Sequence, residues 1–223
     1  MEDSTFTAQN VINLSLNMVF VKTEAKKDTL VRDKYNIAGY PTVILMNSSG
    51  EEIDRIYGYV MADTFVTIIE DYLQGINTLD DIKMKFEASP QNVELAFRLA
   101  DKYEGRRAYD SASLYYSKIV ELDPEDQKGK SDDALYSLAS LELRKKDYPK
   151  ALDAFKYFSQ KFPKSEMAVD AELYIPYCYA KSGDTTQALE FYEKFLAQHP
   201  DSPDTEWVQD KIKELKGSTD KTD

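Results

Sequence analysis

One pattern of a small residue, an aromatic and a proline returns three times in this chain, and it constrains the fold more than any other feature. Ala112 is followed four residues later by Tyr116 and then by Pro124, Ala151 by Phe155 and Pro163, and Ala188 by Tyr192 and Pro200. The alanines stand 39 and then 37 residues apart, from 112 to 151 and from 151 to 188. A spacing of four puts the small and the aromatic residue on one face of a helix. A period of this length is that of stacked helix pairs, each of which buries its apolar face only against its neighbours.

The flanking residues keep the same order in each return. Leu99, Ala100 and Tyr103 precede Tyr109, Ala112, Tyr116 and Ile119. Leu135, Leu138 and Ala139 precede Asp147-Tyr148, Ala151, Phe155 and Phe158, and Ile175 and Tyr179 precede Gly183-Asp184, Ala188, Tyr192 and Phe195. This series resembles the tetratricopeptide repeat family. The resemblance implies a three-repeat tetratricopeptide α-solenoid with a capping helix over residues 92–216, the cap carrying Trp207, Ile212 and Leu215. Residues 217–223 are expected to form a disordered tail.

Punctuation supports that division. Pro124, Pro163 and Pro200 should end second helices, Ser131 and Ser165 should cap the helices that follow, and Ser89-Pro90 should open the first repeat. Asp184 with Gln187 reads as a capping box, while Pro176, inside a first helix, predicts a local bend. The phrases Phe162-Pro163-Lys164-Ser165 and His199-Pro200-Asp201-Ser202-Pro203 resemble repeats of the Tol-Pal coordinator type, over roughly residues 131–216. That likeness implies a periplasmic or cell-envelope setting. The N-terminal sequence has neither a basic leader nor an apolar signal core, which taken literally gives a cytoplasmic protein.

Residues 1–75 follow other periods. The sequence predicts a helix over 10–16, a strand buried on both sides at 18–21, a helix over 29–35, strands at 43–46 and 52–57 joined by the turn 47–50, and a helix over 62–74. This order resembles the thioredoxin fold, with Gly39-Tyr40-Pro41-Thr42 entering a strand, Gly50 in the hairpin and Gly58 before the last helix. The resemblance implies a cis peptide bond at Pro41, and it implies a strand and a C-x-x-C motif ahead of the first helix. The sequence contains neither. Residues 1–75 therefore read as an incomplete, N-terminally truncated thioredoxin-like domain, in which strands 18–21 and 43–46 either pair in parallel or leave an open slot. Residues 76–91 read as a bridge with one amphipathic helix. The expected fold class is α/β plus all-α.

Charge and composition narrow the function. A formal net charge of −12 and a pI near 4.7 exclude an ordinary phosphate-binding surface and hence nucleic acid as a partner. No apolar run approaches the roughly 18 residues of a membrane span. With one cysteine, Cys178, and one histidine, His199, the chain holds no thiol pair and no histidine-rich zinc set, so neither a cofactor nor a metal is expected. Cys178 reads as a packing residue, His199 as a solvated helix end, and Asp80-Asp81 and Asp132-Asp133 as solvated helix starts.

Function then falls to the concave face of the repeats. By family analogy its positions are Phe97 and Asp101, Tyr136 and Ser140, and Leu173 and Tyr177. The lysine and asparagine that clamp a terminal carboxylate in the chaperone-binding repeats this family resembles do not occupy them. Aromatic and apolar groups flanked by Glu94, Asp133 and Asp170 suit an extended apolar or basic segment. The reading is a noncatalytic protein-interaction scaffold. The alternative is a truncated thiol-disulfide oxidoreductase whose repeats recruit substrate.

Overall fold

The computed structural model of the chain describes residues 1, 3–24 and 27–219. Two compact units are present, Met1–Tyr115 and Tyr116–Asp223. The first holds α1 (Gln9–Leu14), α2 (Thr29–Lys34), β1 (Thr42–Met46), β2 (Glu52–Tyr57), α3 (Ala62–Leu73), α4 (Leu79–Ala88), α5 (Val93–Glu104) and the start of α6 (Tyr109–Leu122). The second holds the end of α6, then α7 (Ser131–Lys145), α8 (Tyr148–Lys161), α9 (Ala168–Lys181), α10 (Thr185–Gln198) and α11 (Thr205–Thr219). A partial thioredoxin-like α/β module is thus followed by an all-α region of tetratricopeptide type.

In the first unit β1 and β2 pair antiparallel, with Thr42 opposite Tyr57 and Ile44 opposite Arg55. The turn between them is closed by the Asn47 side chain, whose oxygen accepts the N–H groups of Ser49 and Glu51, while Gly50 takes a φ of +80°. The apolar core gathers Val11 of α1, Ile56 of β2, and Phe65, Ile69 and Tyr72 of α3. Phe6 meets Phe65 edge to face, with ring centroids 5.6 Å apart.

Residues 18–21 depart from expectation. They form no strand: among the described residues the sheet has two strands only, and Val19 and Val21 are 89% and 85% exposed. The segment neither pairs with β1 nor is buried on both sides. Apolar side chains alone do not make a strand, because the backbone needs a partner for its N–H and C=O groups.

A buried polar cluster lies behind the sheet. Asp54 of β2 is fully buried, and each of its oxygens takes two donors. Oδ1 accepts the Arg55 N–H and the Arg106 guanidinium, and Oδ2 accepts the Leu79 N–H at 2.6 Å and the Lys102 ammonium at 2.7 Å. Burial pushes the Asp54 carboxyl up, but the charges and hydrogen bonds of Arg106 and Lys102 outweigh it and hold the group below the usual carboxylate value. The Tyr72 hydroxyl donates to the Arg55 carbonyl and lies 3.1 Å from Lys102 Nζ.

In the second unit the recurring alanines and aromatics do what their spacing requires. Ala151 and Phe155 of α8, and Ala188 and Tyr192 of α10, are all at most 1% exposed. Small residues let the helices approach and the rings fill the space between pairs. Cys178 belongs to the cluster of Leu135, Ala139, Phe155, Phe158 and Ile175, and Val208 of α11 closes the next cluster with Ala188, Tyr192 and Phe195.

The turn inside each helical pair has one geometry. The N–H groups of Arg107, Lys146 and Gly183 donate to the carbonyls three residues back, and those of Ala108, Asp147 and Asp184 donate to the carbonyls five residues back. Arg107, Lys146 and Gly183 have φ values of 57°, 62° and 85°. The left-handed residue ends each first helix by satisfying its last carbonyls. Only Gly183 announces this in the sequence. Asp147 and Asp184 then cap α8 and α10, accepting the N–H of Lys150 and of Gln187.

Several boundaries differ from the serine-based reading. Asn92, not Ser89, caps α5, and Ser89 instead ends α4. Ser131 is the first residue of α7, buried, with its hydroxyl donating to the Asp123 carbonyl. Ser165 lies before the N-cap of α9, its hydroxyl donating to Asp132 and accepting the Met167 N–H. The Gln187 amide turns to Glu190 rather than back to Asp184, leaving half a capping box. The helix α9 runs unbroken through Pro176. Residues 217–219 continue α11, and residues 220–223 of the expected tail lie outside the described residues.

Lys146→Gly should raise stability by about 0.5–1 kcal/mol in denaturant unfolding, because an L side chain is strained at positive φ. Asp54→Ala should cost about 3–5 kcal/mol, as removal of one partner leaves buried charge uncompensated. Because the folded Asp54 value is depressed, its stabilisation is complete above the ordinary carboxylate range and is lost as pH falls through the folded value. Acid titration of the unfolding free energy should therefore be flatter below that range in Asp54→Asn than in the parent.

Candidate peptide-binding face

The first helices of the second unit's pairs, α7 and α9, carry most of the positions in question. Tyr136 is half-buried and sits edge-on to Phe155 and Phe158, with centroids 5.7 and 5.6 Å away. Tyr174 stacks on Phe155 at 4.9 Å and lies 6.4 Å from Tyr136, and Tyr177 meets Tyr174 at 6.3 Å with the rings perpendicular. The result is a continuous file of rings from α8 through α7 to α9. Lys181 Nζ lies 5.4 Å from the centroid of the Tyr177 ring.

Acidic groups gather at the starts of the same helices. Burial first, and then the neighbouring Asp132, Asp126 and Glu166 charges, raise the Asp133 carboxyl above its usual value. Burial likewise holds the Tyr136 hydroxyl protonated, helped by Tyr174 and by the negative charge of Asp170. The face therefore offers flat apolar rings, hydroxyls and anionic oxygens.

The candidate positions are not all on one surface. Tyr136 and Tyr177 are linked through Tyr174, a residue the sequence reading passed over. Leu173 packs instead against the cluster of Ala188, Tyr192, Phe195 and Val208. The phase of α9 thus pairs 174 with 177 toward Tyr136, and the signal was present in the i, i+3 spacing of the two tyrosines. Ser140 is half-buried on α7. Phe97 and Asp101 lie on α5 in the first unit, the former half-buried and the latter exposed.

The remaining singled-out residues are placed as follows. The Tyr40–Pro41 peptide bond is cis, and Pro41 is exposed at the entry to β1. Cys178 is fully buried, and burial pushes its thiol up to about 12. His199 is not a solvated helix end: it is half-buried, with Nε2 2.7 Å from Glu172 Oε2 and its ring 4.9 Å from that of Phe195. Asp132 is half-buried and accepts the Ser165 hydroxyl. Among the described residues no group of three or more His, Cys, Asp or Glu side chains could hold a metal ion, and no helix is long and apolar enough to cross a membrane.

Comparison with known proteins agrees with the two-part architecture. Residues 127–209 match the outer membrane lipoprotein family YfiO. Residues 3–73 match the thioredoxin-like domain family. The outer membrane protein assembly factor BamD of Neisseria meningitidis serogroup A is 28% identical over 89 residues, 40% of this chain and 33% of that protein. BamD of Neisseria gonorrhoeae is 30% identical over 78 residues, 35% of this chain and 29% of that protein. The chain therefore matches about a third of the length of these curated relatives. These matches overturn the Tol-Pal coordinator assignment: the stretch that carries the proline-serine phrases is similar to the YfiO family and to BamD. Among solved structures, the TPR-like repeats of a Podosopora anserina kinesin light chain align with a TM-score of 0.53 at 10% identity, covering 71% of this chain and 82% of that one. MamA aligns with a TM-score of 0.51 at 23% identity, covering 68% and 80%. At these identities both show the fold alone.

The environment of Cys178 makes a direct prediction. Ellman's reagent at pH 8 should leave the native chain unmodified and label one thiol per chain once denaturant is added. Rapid labelling of the native chain would contradict the packing described for α9.

Proposed function

We propose that this chain is a noncatalytic protein-interaction scaffold of the cell envelope, in which α7 and α9 hold an extended apolar or basic segment of a partner protein. The observation that carries the reading is the ring file of Tyr136, Tyr174 and Tyr177, with the Asp170 charge acting on the Tyr136 hydroxyl. Tyrosines present large rigid contact area at low entropic cost, and the adjacent anions favour lysine or arginine in the bound segment. Ser140 contributes a hydroxyl along the same helix. Phe97 and Asp101 on α5 stand as a separate candidate pair of the first unit, and Leu173 would act through its packing against Ala188, Tyr192 and Phe195.

The matched relatives support the setting. YfiO is described as an outer membrane lipoprotein and BamD as an outer membrane protein assembly factor, which favours the envelope over the cytoplasm. If the chain works in the same process, its ligands are segments of outer membrane proteins, whose strands alternate apolar and polar residues. Repeats over 92–216 would then do the binding, with residues 1–75 and the bridge 76–91 serving the array. Residues 1–75 contain no cysteine, so thiol-disulfide exchange has no nucleophile there and the reading assigns no chemistry to that segment.

Fluorescence anisotropy with a labelled peptide alternating leucine or phenylalanine with lysine tests the site. Tyr177→Ala should weaken binding about tenfold, the size of a ring contact worth roughly 1.4 kcal/mol, with an unchanged melting curve. Tyr157→Ala, on an exposed part of α8, should bind as the parent does. Equal affinities for both variants would remove this face from consideration.

A further inference from the structure

The first helix of a repeat array has no preceding repeat, so its outer stripe must be either polar and solvated or covered. On α5 the buried set is Val93, Ala96, Leu99 and Ala100. The neighbouring stripe is cationic, with Arg98 and Lys102 one turn apart and Arg106 just beyond the helix end.

None of the three cations is solvated in the ordinary way. The Arg98 guanidinium donates to the Asn77 side chain at 2.8 Å, and Asn77 in turn donates to Asp71 at the end of α3 and to Asp81 at the start of α4. Lys102 and Arg106 converge on Asp54, and Arg106 also reaches Glu52 at 3.0 Å. Lys102 and Arg106 are 11% and 16% exposed. The backbone joins in: Arg55 lies within hydrogen-bond reach of the Gly105 carbonyl, and a Cβ added at Gly105 would come within 3.3 Å of the Tyr57 Cβ. Gly105 has an ordinary helical φ of −59°. Its lack of a side chain serves close approach and not a special backbone shape.

We propose that the thioredoxin-like module serves as the N-terminal cap of the repeats, and that Asp54 is the residue that locks it onto α5. The module's Glu52 and Asp54 take Lys102 and Arg106 directly, and its Asp71 holds the Asn77 side chain that accepts from Arg98. This gives the module a task that needs no thiol. The lock works because Asp54 cannot turn to water: withdrawal of α5 would strand a buried carboxylate with only the two backbone donors of Arg55 and Leu79.

Hydrogen exchange on the full chain tests the lock. In Asp54→Asn, amides of α4 and α5 should exchange at least tenfold faster than in the parent, while those of α7 to α10 change little. Gly105→Val, which wedges the contact without touching any charge, should give the same pattern, as should the double variant Lys102→Gln, Arg106→Gln. Faster exchange confined to residues 42–57 would reduce Asp54 to a local stabiliser of the sheet and overturn the proposal. Equal acceleration throughout the chain in the Gly105 and Lys102/Arg106 variants would overturn it as well.

Discussion

A carboxylate without access to water must be matched by charge and by hydrogen bonds, or it will not stay ionised. Asp54 meets both demands at once, and the first unit is built to let it. Its two oxygens collect donors from β2 itself, from the first residue of α4, from α5 and from the turn after α5. No single element could supply that set. The position of each is fixed by the need to reach the same side chain, so a residue from the middle of a short strand sets the arrangement of two helices and a turn. Buried ion pairs gain little over apolar packing in raw stability, since desolvation offsets most of the attraction. What this one gives is a unique docking geometry, because a slip of either partner leaves charge unpaired.

The second unit reaches order by another route. Its helices meet through alanines and rings that repeat at fixed spacing, and its turns share one hydrogen-bond pattern. Apolar contacts of this kind tolerate small shifts, so precision is added at the ends of the helices. The aspartates at 147 and 184 fix where the second helices begin, and the left-handed residues at 146 and 183 fix where the first helices stop.

These two routes explain what could be read from the residues and what could not. The repeat was legible because Ala151 with Phe155, and Ala188 with Tyr192, are close enough in sequence for helical spacing alone to place them together. The thioredoxin-like order was legible from the Gly39 to Thr42 phrase, the hairpin turn at 47–50 and the glycine at 58. Asp54 was not, since its partners other than the adjacent Arg55 N–H lie 25 to 52 residues away and a charged residue in EIDRIY looks like the solvent face of an edge strand. The turns at 107 and 146 were hidden for a different reason: arginine and lysine there are held left-handed by the hydrogen bonds of the turn and not by their own preference. Residues 18–21 show the converse: their apolar composition suggests a strand, but among the described residues the sheet holds only β1 and β2.

The candidate site shows the same division at finer scale. The sequence reading groups Leu173 with Tyr136 and Tyr177, whereas the ring next to Tyr136 and Tyr177 is Tyr174 and Leu173 packs against the cluster of Ala188, Tyr192 and Phe195. A shift of one residue turns a side chain by about 100° around a helix, and on α9 that is the angle between the packing against α10 and the ring file shared with α7. Tyr174 is held there by Phe155, one of the repeating aromatics that build the array. The rings that would meet a partner are therefore oriented by the rings that hold the fold, and a substitution that loosens the second set will disorder the first.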